Sequence, residues 1–137
     1  MFQTSALEFA VLLAGAGMGW VVMFSFVAAP TAFRTFDGGR ADRIVKAIIK
    51  NGHGVLAAII LLAAMASLFA GAIAGAVVAG VAAIFALCCQ WALAPRTDSK
   101  PILGRKVYKT ARIVASTITA AILPVLIAAV ILMRLGI

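Results

Sequence analysis

Charge is what this sequence has least of. Only 12% of its 137 residues are Asp, Glu, Lys or Arg, four of them acidic, and there is one histidine. Catalysis by proton transfer draws on such side chains, so their scarcity argues against an enzyme. No P-loop, Cys-x-x-Cys or His-Glu-x-x-His occurs, and a single His leaves no Ser-His-Asp arrangement to build. The two cysteines, Cys88 and Cys89, are adjacent within an apolar run. That spacing gives neither a disulfide framework nor a metal-ligand set, and the expectation is a pair of buried thiols pointing about 100° apart on a helix. The first ten residues hold no Lys or Arg, so the leading apolar run lacks the positive start of a signal peptide and is expected to stay as a span.

What the chain has instead is apolar length. Hydrophobic residues make up 65% of it, and the mean hydropathy is +1.17. Soluble domains run at roughly 45–50% apolar and 25% charged. The composition therefore predicts an all-α integral membrane protein, a four-transmembrane-helix bundle in a single domain. A span needs about 20 apolar residues. Helix one is expected over about residues 6–29, with Ser5 and Glu8 as a capping box at its start and Pro30 ending or kinking it. From Gly54 to Pro95 the 42 residues carry no charge, which is about two spans. They divide at the small-residue stretch Gly71–Gly75 into helices of about 55–70 and 76–93. The fourth helix is expected over about 107–133, with a kink at Pro124.

Between these spans lie two basic loops, about 30–53 and 95–112, which hold eleven of the twelve Lys and Arg residues. In the first, Ile44, Val45, Ile48 and Ile49 face one way at helical spacing and Arg43, Lys46 and Lys50 another, the pattern of a short amphipathic interfacial helix. The net charge of +8 is thus a topology signal rather than a nucleic-acid footprint. Positive residues stay in the cytoplasm, which puts both loops inside and both termini outside. Arg34, Arg40, Arg43, Lys46, Arg105 and Lys106 are the candidate surface for anionic lipid or an acidic partner.

Other candidates are sparser. Gly15 and Gly19, with Gly71 and Gly75, are positions where helix backbones could approach closely. His53 reads as an interfacial histidine, and as a haem or metal ligand only with partners from another subunit. Trp20, read as lying near mid-membrane, and Pro124 are candidate walls of a cavity, and Gln90 and Ser67 could bond across helices.

The run Phe24-Ser25-Phe26-Val27-Ala28-Ala29-Pro30-Thr31-Ala32-Phe33-Arg34, followed by Ala41-Asp42-Arg43-Ile44-Val45-Lys46-Ala47-Ile48, resembles the small bacterial membrane proteins related to the transmembrane protein 205 family. Those are four-helix chains of similar length with an Ala-Pro-x-x-Phe sequence closing the first span. The resemblance covers about residues 15–60. It implies a membrane location and the same topology, and brings no established activity or catalytic residues. The function expected from these features is a non-catalytic inner-membrane protein, an oligomerising or accessory subunit of a membrane complex that contains no cofactor. A small-molecule transporter or channel is the alternative, and a haem- or quinone-linked protein using an intersubunit His53 a further one.

Overall fold

The structure, a computed structural model, describes residues 2–93, 113–114 and 116–137. Helix α1 (Phe2–Val22) continues through a π-helical segment, Met23–Ala28, into α2 (Ala29–Thr35). A turn at Phe36 and Asp37 leads into α3 (Gly38–Phe69), a second turn into α4 (Ile73–Leu93), and the chain ends in α5 (Ile122–Leu135). Among the described residues, four helices are long and apolar enough to cross a membrane: Gln3–Thr35, Gly39–Phe69, Ile73–Trp91 and Ser116–Leu135. They pack up and down as a bundle in which α3 lies between α1 and α4, and α5 closes the ring between α4 and α1.

The first helix starts earlier and runs further than its sequence signals suggest. Phe2 is already helical, so Ser5 lies inside the first turns rather than at an N-cap. Pro30 does not end it. A proline lacks the amide that should bond Phe26, and its ring crowds that carbonyl. The π-helical turn just before it widens the coil, the Ala29 amide reaching five residues back to Phe24 O, and Pro30 then sits in the first turn of α2, where proline is tolerated.

The separate amphipathic helix expected in the first loop is instead the first half of α3. Ala41, Val45, Ile49, His53, Leu56, Ile60, Ala63 and Ser67 form one buried stripe at spacings of three and four residues along the whole helix. Gly52 and Gly54 do not interrupt it. With 31 and 33 residues at about 1.5 Å each, α3 and the first helix are about 45–50 Å long, well past a hydrocarbon core of about 30 Å. The surplus lies at one end. There α2 and the start of α3 form a hairpin closed by Phe24, Ala29, Ala32, Val45 and Ile49.

The turn between α3 and α4 is tighter than the small-residue stretch suggests. Gly71 takes a left-handed φ of +82°, Ser67 Oγ donates to Ala72 O at 2.9 Å, and Gly75 is already inside α4. The bundle interior is largely alanine, with Ala10, Ala57, Ala79, Ala82, Ala86 and Ala129 against Leu56, Ile60, Ile122, Leu126 and Met133. Near Pro124 the helix is irregular by one residue at Ala121, whose amide bonds Thr117 O at 3.0 Å. This places the disturbance within the turn preceding the proline, as expected from its missing amide. The second basic loop, with Arg105 and Lys106, and the expected start of the fourth helix near 107 lie outside the described residues.

Candidate functional site

Where the hairpin joins the bundle, three helices and the helical stretch before α5 contribute to a single polar layer. His53, on α3, is fully buried, its Nε2 3.2 Å from Thr119 Oγ1 and its ring edge-on to Phe24 with centroids 5.6 Å apart. Its Nδ1 finds no partner among the described residues, nor does the buried Ser25 Oγ on the π-helical segment. One residue before the histidine, the Trp20 ring lies directly over Gly52, in space that a Cβ would occupy. One residue after it, Gly54 faces the Gln90 amide, whose Nε2 donates to Lys50 O at 2.6 Å and so ties α4 to α3. The two glycines let side chains from α1 and α4 close on either side of the histidine.

This geometry changes the reading of several residues. His53 is inside its own bundle rather than facing a neighbour, and an intersubunit ligand role would need the ring exposed. Trp20 shares a level with Gly52 of α3, two residues beyond Lys50, whose carbonyl accepts from the Gln90 amide of α4. Trp20 packs on α3 while Pro124 is exposed in the first turn of α5, and the pair lines neither of the two grooves described below. Cys89 is buried, but Cys88 is exposed. Residues that sequence reasoning missed are Gly52, Thr119 as the histidine's partner, and Ser25. A glycine on each side of a lone histidine was the available signal.

The glycines divide into two groups. Gly17 is inward, a Cβ there meeting Ile60, Leu56 and Leu126 at 3.4–3.6 Å, and Gly75 lies so close to α5 that a Cβ would be 2.7 Å from Met133 Cγ. Gly15 and Gly19 point elsewhere: among the described residues, nothing beyond their own helix backbone and chain neighbours lies within 4 Å of a Cβ built on either.

Charge is segregated along the bundle. Arg34, Arg40 and Arg43 are exposed on the α2–α3 hairpin, with Lys46, which pairs with Asp42 at 2.7 Å. An open groove beside them is lined by Lys50, Leu87, Gln90 and Trp91. At the opposite end Glu8 and Arg134 share a groove between α1 and α5.

These features define a bundle of four apolar helices with a basic hairpin at one end and a buried polar layer at its base. The chain matches no family model, no curated protein and no solved structure.

Proposed function

We propose that the chain is a non-catalytic, multi-pass protein of the bacterial cytoplasmic membrane that works as a laterally associating subunit, with a second copy of itself or within a larger complex. The Gly15–Gly19 face of α1 carries this reading. Gly17, Gly52 and Gly75 are each met by another helix of the chain, whereas Gly15 and Gly19 stand one turn apart with nothing among the described residues within 4 Å of a Cβ built on either; Gly80 on α4 is open in the same way but has no glycine one turn away. In a bilayer the solvent supplies no hydrophobic drive between helices, so close backbone contact at small residues is a main source of association.

The basic hairpin supports an orientation with that end in the cytoplasm and both termini outside. There Arg34, Arg40 and Arg43 would meet anionic headgroups, at about 1 kcal/mol per well-placed charge. The resemblance of residues 24–48 to the small bacterial proteins related to the transmembrane protein 205 family fits the same membrane and topology. The transporter and redox readings draw less from the geometry, because His53 is enclosed and Trp20 is packed on Gly52.

Substituting both Gly15 and Gly19 by leucine tests the association. The added side chains enter open space, so the monomer should keep its fold and gain helix propensity of up to about 1 kcal/mol per site. Subunit counting by single-molecule photobleaching in liposomes should show the wild type forming oligomers and the variant at least tenfold weaker, a change of about 1.4 kcal/mol. An unchanged distribution of copies would remove α1 as the contact.

A further inference from the structure

Among the described residues, Glu8 and Arg134 are the only charged side chains on the helices at the termini-bearing end of the bundle, and they lie on different helices that line one open groove of about 480 Å³. That volume is within the roughly 300–1,000 Å³ range of small-ligand sites. Opposite charges on neighbouring helices ordinarily close into a direct pair, but among the described residues no ion pair joins these two, the Lys46–Asp42 pair being at the other end. Both side chains are exposed. The rest of the lining comes from α1: Thr4 at the rim, then Leu7, Val11 and Leu12 on the same face one turn deeper.

We propose that this groove seats the headgroup of an aminophospholipid, with its primary ammonium on the Glu8 carboxylate, its phosphate diester on the Arg134 guanidinium and an acyl chain along Leu7, Val11 and Leu12. The ligand carries one charge of each sign, as the groove does. A guanidinium presents a planar fork of donors that suits phosphate oxygens, and a carboxylate accepts from the three N–H groups of a primary ammonium. A choline headgroup has the same charges but no N–H to donate. A glycerol headgroup carries a net negative charge and offers Glu8 no cation. The apolar wall selects a lipid over a soluble zwitterion, because a molecule with no alkyl chain would leave Leu7, Val11 and Leu12 uncovered.

The inference rests on the proposed membrane insertion, and the test separates the two. The full chain is reconstituted in nanodiscs containing equal parts of phosphatidylethanolamine, phosphatidylcholine and phosphatidylglycerol, and the lipids retained on release are counted by native mass spectrometry. Retention of phosphatidylethanolamine about fivefold above the other two is expected from one well-placed interfacial charge contact. Glu8→Gln should abolish the preference for ethanolamine over choline, while Arg134→Gln should lower retention of all phosphodiester lipids. Equal retention of the three lipids, or a Glu8→Gln variant with the wild-type ratio, overturns the site while leaving insertion intact. A chain that stays soluble and enters no nanodisc overturns the insertion and the site together.

Discussion

Replacing Gly75 with leucine should destabilise the bundle by about 2–3 kcal/mol, toward the upper part of the range for overpacked cores. The reason is what the new side chain would meet. A Cβ at this position is 2.7 Å from Met133 Cγ, which can turn aside, but it is also 3.1 and 3.3 Å from the Met133 backbone N and Cα, which can move only if α5 moves. Gly75 N also donates to Ile137 O at 3.0 Å, so separating the helices would strand one of the first amides of α4. Alanine tests the same contact more gently. Its Cβ makes the same clash, offset by up to about 1 kcal/mol of helix propensity, so Gly75→Ala should lose less than half of what leucine loses. Unfolding of the reconstituted protein by titration with a denaturing detergent measures both. Full wild-type stability in Gly75→Leu would mean that α4 and α5 do not meet here.

The second large effect is expected at the polar layer, and it is non-additive. Thr119→Val removes the one hydrogen-bond partner that a buried imidazole has among the described residues, where its Nδ1 has none. An interhelical hydrogen bond within a bilayer averages about 0.6 kcal/mol, but stranding a buried polar group costs about 1–3 kcal/mol. Thr119→Val should therefore cost about 1–2 kcal/mol. In His53→Leu the same valine has no polar group to strand, and adding it should change stability by less than about 0.5 kcal/mol. A double-mutant cycle of detergent unfolding reads this directly. Equal costs of Thr119→Val in both backgrounds would show that the threonine and the histidine are not coupled.

Four apolar helices were legible because the sequence states them in the coarsest terms. The chargeless 42 residues from Gly54 to Pro95 are about twice the length of one span and so predict a hairpin of two helices, and the first cluster of basic residues marks the end at which the first two spans are joined. What was not legible depended on contacts across the bundle. Gly52, His53 and Gly54 look like a break in any reading by composition, and they end the amphipathic pattern seen in Ile44–Ile49. In the fold they continue the buried stripe of α3, because Trp20 fills the space over Gly52 and Thr119 meets the histidine. The π-helical turn has no sequence signature beyond Pro30, which marks a disturbance without saying whether the helix stops or widens. Gly15, Gly17 and Gly19 are spaced so that successive members face opposite sides of the helix from one to the next. Periodicity alone could not choose which of them looked inward, and it is Gly17.

The same dependence explains the candidate sites. A charge pattern placed the basic residues of the hairpin correctly on one end, since all of those described share the surplus length of α2 and α3. Nothing in the order of residues brings Glu8 to Arg134, 126 positions apart, because their shared groove exists only once α1 and α5 pack side by side.

The most direct test is of the orientation of the spans. In a background of Cys88→Ser and Cys89→Ala, single cysteines are placed at Arg43, on the basic hairpin, and at Ile137, beyond α5, and intact cells are treated with a membrane-impermeant maleimide. Labelling of Ile137→Cys in intact cells, with Arg43→Cys labelled only after permeabilisation, is the expected result for a four-span bundle with its basic end in the cytoplasm. Labelling of Arg43→Cys alone in intact cells, or labelling that puts both residues on the same side of the membrane, would contradict it.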